Sequence, residues 1–100
     1  MPYVYMLRCA DGSYYVGSTW DLERRFRQHS DGEGSVYTRS RRPVELVFAA
    51  EFSRIDEAFA REKQVQGWSR RKREALIDSR SNELPALSKK DFAKRRPERQ

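Results

Sequence analysis

One hundred residues make one domain with room for a single modest core. Charged residues are 36% and hydrophobic residues 37% of the chain, so part of it adds solvent-facing surface rather than core. The net charge of +6 favours an anionic partner, but the charge is unevenly placed. Residues 88–100 hold six Lys/Arg and two acids, a charge of +4, which leaves only +2 for the other 87 residues. Phosphate recognition by the body must then come from local placement of side chains. No apolar run approaches the roughly 20 residues of a membrane span, and no signal-peptide core follows Met1. The single Cys9 allows neither an internal disulfide nor a cysteine metal site. We expect a cytoplasmic protein with no membrane partner.

Aromatic and aliphatic residues dominate Tyr3 to Cys9, which predicts a strand covered on both faces. Ala10-Asp11-Gly12 reads as a turn, and Tyr14 to Thr19 as the returning strand. The length of the turn decides which side chains meet. A two-residue Asp11-Gly12 loop pairs positions so that Tyr5 and Tyr15 fall on opposite faces. A three-residue loop with Gly12 at positive φ pairs Tyr5 with Gly17 and Leu7 with Tyr15. Both tyrosines then share one face, and Val4, Met6 and Val16 share the other. A glycine at the third loop position favours the three-residue form.

A helix follows, with Asp21 as N-cap and Glu23 in its first turn. At about 100° per residue from Leu22, Phe26 falls at about 40°, Arg25 at about −60° and His29 at about −20°. Arg25 and His29 are therefore i,i+4 neighbours beside the apolar stripe, while Arg24, Arg27 and Gln28 face away. Ser30 to Arg42 contains Gly32, Gly34 and three arginines, and reads as an exposed loop. Pro43 introduces a third strand, Val44 to Phe52.

Ser53 is the expected cap of a second helix, with Asp56 three residues on. With Ile55 as the origin, Ala58 falls at about −60°, Phe59 at about 40°, Glu62 at about −20° and Gln66 at about 20°. Glu62 is thus expected in the middle of an apolar stripe, where an ionised carboxylate requires a partner. Gly67 ends this helix. Trp68 is expected as a core anchor, and Ser69 as the cap of a last helix running to about Arg80 with Leu76 and Ile77 inward. The segment 81–100 reads as a basic tail without fixed structure.

Tyr3-Val4-Tyr5, Tyr15-Val16-Gly17, Arg25 and Glu62, in this order and spacing, resemble the GIY-YIG nuclease superfamily. Further matching stretches are Leu22–His29, Tyr37-Thr38, Arg42-Pro43 and Arg61-Glu62 through Ile77. The resemblance is closest to the small stand-alone single-domain bacterial members, and it covers roughly residues 2 to 78. It implies an α+β fold, a three-stranded antiparallel sheet flanked by helices, occupying residues 1–80. It also implies a DNA endonuclease, structure-selective or non-specific, acting in DNA repair or processing. Tyr5, Tyr15, Arg25, His29 and Glu62 match the catalytic positions, and Glu62 matches the ligand of Mg²⁺ or Mn²⁺. Thr38, Arg39 and Lys72 are the expected nucleic-acid contacts, with DNA favoured over RNA and a protein partner as one source of specificity.

These roles are chemically coherent. A hard cation that keeps its waters can be anchored by a single carboxylate. Arg25 would offset charge developing on the phosphate. A tyrosine, with an ordinary pKa near 10, becomes a base near neutrality when a cation lowers that value, as His29 would beside Tyr5 or Arg25 beside Tyr15. We place Tyr5 as the base and Tyr15 as the orienting hydroxyl.

Each residue also has a plainer role. Strand tyrosines pack, Glu62 can pair structurally with Arg25 or a tyrosine, and His29 can serve a helix end. Lys72 can be a solvated lysine, and Thr38 can pack a loop. Two departures from the superfamily pattern stand out. Tyr3-Val4 replaces Gly-Ile, and Gln66 stands where a lysine is common. The rival functions are a binding module of this fold with little catalysis, and an interaction subunit that depends on a partner.

Overall fold

The computed structural model describes residues 1–80. The expectations for the basic tail, 81–100, lie outside them. The elements run β1 (Tyr3–Arg8), β2 (Tyr14–Thr19), α1 (Leu22–Ser30), α2 (Val36–Arg39), β3 (Glu45–Glu51), α3 (Ile55–Gln66) and α4 (Arg70–Arg80). The strands form one sheet in the order β2-β1-β3, with both pairs antiparallel. The expected α+β architecture is therefore the observed one. Among the described residues, no helix is long and apolar enough to cross a membrane.

The hairpin takes the three-residue form. The Gly12 N–H donates to the Cys9 carbonyl, and the Cys9 N–H donates to the Ser13 carbonyl, which closes the loop. Gly12 has a φ of +87°, a conformation that costs little without a Cβ. The resulting register places Tyr5 opposite Gly17, Met6 opposite Val16 and Leu7 opposite Tyr15. Side chains of β1 therefore divide as the pleat requires. Val4 and Met6 join Val16, Ala58, Val65 and Ile77 on one face, under α3 and α4. Tyr5 and Leu7 join Leu22 on the other, with Phe26, Tyr15 and Tyr37 packed against them, under α1 and α2. β1 is thus central and covered on both sides, whereas β2 is an edge strand.

Helix α1 has the expected cap, with the Asp21 carboxylate accepting from the Arg24 N–H. Leu22 and His29 are buried and Arg24 and Arg27 exposed, as their spacing predicts. Gln28 differs: it is half-buried and accepts from Arg25. Helix α4 begins with the Ser69 hydroxyl accepting from the Lys72 N–H, and it buries Ile77.

Four expectations need correction. The 30–42 segment is not all loop, because Ser35 caps the four-residue helix α2 through the Thr38 N–H. Ser53 does not cap α3. Arg54 occupies that position without a side-chain cap, and Asp56 pairs with Arg54 at 3.0 Å. The buried stripe of α3 is centred on Ala58 and Val65, about 70° away from Ile55 at about 100° per residue. Phe59 is therefore 52% exposed instead of packed. Glu62 sits on the half-buried shoulder of the stripe, not in its middle. Finally, Trp68 is only half-buried. Its ring packs on the core beneath the Arg61 guanidinium and the Lys72 ammonium, 4.8 and 4.4 Å from the centroid.

Candidate active site

Tyr5 is buried and extends along the sheet toward the free edge of β2. It can do so because its cross-strand partner is a glycine. A Cβ on Gly17 would lie 2.5 Å from the Tyr5 hydroxyl oxygen and 2.7 Å from its Cζ. Gly17→Ala is therefore expected to displace the Tyr5 ring and cost about 1–3 kcal/mol of stability by overpacking, read by urea unfolding.

The Tyr5 hydroxyl lies 2.9 Å from His29 Nε2. On the other side of the imidazole, Nδ1 lies 2.9 Å from Thr38 Oγ1, which is 3.0 Å from the Ser35 hydroxyl. Tyr5, His29, Thr38 and Ser35 thus form a chain of hydrogen bonds running from the strand into α2. Neutral imidazole has one donor and one acceptor nitrogen, so the chain can be satisfied in either direction. Gly34 closes over the His29 ring, at a position where a Cβ would collide with it.

The Tyr15 ring is half-buried and packs against the same group, with centroids 5.1 Å from His29 and 6.4 Å from Tyr5. Tyr37 backs it at 6.0 Å. Arg25 reaches in from α1. Its guanidinium donates to the Gly34 carbonyl at 2.9 Å and to Gln28 Oε1 at 3.0 Å, and it interacts electrostatically with both tyrosines.

Electrostatics overturn one expectation. Burial pushes the Tyr5 hydroxyl up from 10.0 to about 12, outweighing the opposing pull of Arg25. Burial, with the Arg25 charge second, pushes His29 down from 6.5 to about 4. His29 is therefore neutral at pH 7 and is not a cation that could acidify Tyr5. At neutral pH Tyr5 keeps its proton.

Glu62 approaches from the opposite face of the sheet. Its Oε1 accepts from the Ser18 hydroxyl at 2.5 Å, and its Oε2 accepts from the Gln66 amide at 2.9 Å. Gln66 also donates to the Val16 carbonyl at 3.3 Å. The Glu62 charge is felt at Tyr5. The site therefore straddles the β2 edge, with tyrosines, histidine and arginine on one side and the carboxylate on the other. Ser18 and Gln66 were missed as functional candidates. Their signals were a hydroxyl on the strand face opposite Tyr15, and an amide one helical turn beyond Glu62.

Among the described residues, no three acidic, histidine or cysteine side chains gather into a metal cage. The donor present is one half-buried carboxylate with both oxygens held. That set fits a hard cation that retains most of its waters and completes its shell with a substrate phosphate.

Of the expected nucleic-acid contacts, Thr38 joins the site, through its bond to His29. Thr38 is fully buried and spends its hydroxyl on His29, so it is a support rather than a contact. Lys72 lies over Trp68 in the helix layer across the sheet. Arg39 is exposed on α2, with its carbonyl accepting from Arg42.

A family model described as the GIY-YIG catalytic domain matches residues 1–75. The chain belongs to the GIY-YIG family. Its relatives include a UPF0213 protein of Bacillus pumilus, 45% identical over 76% of this chain and 78% of that protein. A UPF0213 protein of Halobacterium salinarum is 43% identical over 77% of this chain and 100% of that protein. The solution NMR structure of a UPF0213 protein from Bacillus halodurans has a TM-score of 0.54 and 44% identity. It covers 81% of this chain and 87% of that one. As a GIY-YIG domain, the described fold is of nuclease type.

Proposed function

We propose that the chain is a DNA endonuclease that requires Mg²⁺ or Mn²⁺ and is structure-selective or non-specific in its choice of DNA. The observation that carries this reading is the shared strand edge. Arg25, Tyr5 and Tyr15 meet on one side of β2, and Glu62, fixed by Ser18 and Gln66, stands on the other.

Glu62 would hold the cation. When bound, the cation supplies charge stabilisation for the phosphate and the leaving 3′ oxygen. Arg25 binds a non-bridging phosphate oxygen, and its bonds to Gly34 and Gln28 limit its motion. Tyr15 orients the attacking water.

Tyr5 acts as a neutral relay instead of a tyrosinate. Its oxygen accepts the proton of the water as its own proton passes to His29 Nε2. A new P–O bond forms, and the bond to the 3′ oxygen breaks. His29 becomes a better acceptor on substrate binding. The phosphate offsets the Arg25 charge, the second of the two causes that hold the imidazole low.

The purified chain should be incubated with single-stranded, duplex, nicked and branched DNA, and with RNA, in Mg²⁺, Mn²⁺ or EDTA. Metal-dependent DNA products absent from EDTA are the expected result. Tight binding with no metal-dependent product on any substrate would make the chain a binding module.

A further inference from the structure

Beside the catalytic edge lies a cleft of about 440 Å³ between the β2–α1 junction and α3. Its volume falls in the range of roughly 300–1,000 Å³ typical of small-ligand clefts. Trp20, Phe59 and Ile55 line it, together with Arg24, Arg25 and Ser18. Trp20 is 62% exposed and Phe59 52% exposed. Among the described residues, the Arg24 side chain makes no hydrogen bond or ion pair, while its backbone N–H donates to the Asp21 carboxylate. The cleft is continuous with the proposed active site. Arg25 belongs to both, and Ser18 lines the cleft while donating to Glu62.

We infer that this cleft is a nucleotide subsite, which takes one unpaired base of the nucleic-acid strand next to the cleaved phosphate. The inference deepens the nuclease reading and rests on it. Two exposed aromatic rings offer stacking surface, and every base has a π-face to use it. A free guanidinium at the rim matches the phosphate that accompanies the base. A base inside a continuous duplex is already stacked on both sides and cannot enter. The cleft therefore selects strands with unpaired nucleotides. Asp21 also lines the cleft, so its two arginines leave a net charge of one positive unit, which an apolar peptide would bury without a partner and a phosphate would meet.

The inference is tested by binding, with cleavage read separately. Glu62→Gln protein is titrated with three fluorescent probes in EDTA. They are a single-stranded oligonucleotide, the same length of abasic strand, and the blunt duplex. Trp20→Ala and Phe59→Ala are made in the same background, with circular dichroism and gel filtration to follow fold and oligomeric state. The single strand is expected to bind best, and each substitution should weaken it about tenfold. The abasic strand should bind weakly, and equally to all variants.

Unchanged affinity for the single strand in both variants would overturn the subsite. So would equal affinity for the based and abasic strands, or a dimer that Trp20→Ala dissociates. Metal-dependent cleavage by the wild-type chain with no stacking effect leaves the nuclease standing and removes the subsite. Base-dependent binding without cleavage on any substrate does the reverse.

Discussion

Glu62→Gln is expected to lower metal-dependent cleavage about 100- to 1,000-fold while leaving the fold in place. The substitution is nearly isosteric. The amide oxygen still accepts from Ser18, and Gln66 can turn its own amide to meet the new NH₂. What disappears is the charge. Stability should change by no more than about 1 kcal/mol, because the site is half-buried and the bond given up, from the Gln66 amide to the Val16 carbonyl, is a long one at 3.3 Å. Ser18→Ala provides the graded comparison. It keeps the carboxylate but frees one oxygen, so a loss of about 10- to 100-fold is expected, recovered in part at higher Mg²⁺. Initial rates on the best DNA substrate, with urea unfolding alongside, check both. Wild-type rates in Glu62→Gln would remove Glu62 from the chemistry.

Acidification from pH 6.5 to 4 is expected to destabilise the fold by about 3 kcal/mol through His29 alone. The direction follows from where the proton binds. The unfolded imidazole takes up a proton below its ordinary 6.5, whereas the folded one resists until about 4. Stability is therefore fully present above 6.5, falls through this window and levels off below it. The cost of charging the folded imidazole is structural. It is fully buried, faces Arg25, and must still serve Tyr5 and Thr38. The Asp11 and Asp56 carboxyls are held below their ordinary 3.8 by hydrogen bonds to Ser13 and Arg54 respectively, so their contributions are lost only at lower pH. Urea unfolding at pH 7.5, 5.5 and 4.5 measures the slope. It should be absent in His29→Gln, which is less stable throughout. A flat profile, or a slope that survives in the variant, would refute the assignment to His29.

Much of the fold was legible because local chemistry and global packing agree. Gly12 at the third loop position specified the hairpin register, and the register specified the faces of Tyr5 and Tyr15. The α1 stripe was legible from Leu22, Phe26 and His29. α2 was hidden because four residues are too few to display a helical period, and glycines precede it. The rotation of α3 was hidden for a different reason. Ile55 and Phe59 outweigh Ala58 in hydrophobicity, but Ala58 is small enough to approach the sheet. Large apolar residues point to the wrong stripe where close approach decides the contact.

The site was legible in part. Sequence placed Arg25 and His29 together, and it turned Glu62 toward the sheet. It could not weigh burial against charge. A neighbouring cation argued for an acidic Tyr5, whereas desolvation argues the other way and prevails. The cradle of Ser18 and Gln66 around Glu62 was also beyond reach, because it joins a strand to a helix 44 residues away. Trp20 left no trace, being a lone aromatic between two elements.

The Ala10-Asp11-Gly12 loop lies at the surface, where gain or loss of a residue is ordinarily harmless. Here its geometry carries an alignment. A loop that closed on Asp11-Gly12 alone would turn β2 over and send Tyr15 to the α3 side, whereas any loop that keeps Leu7 opposite Tyr15 preserves the site. Lineages descending from this chain are thus free to drift in the composition and length of the loop as long as that pairing survives. A surface connection without catalytic groups is in this sense as heritable a part of the site as the tyrosines it aligns.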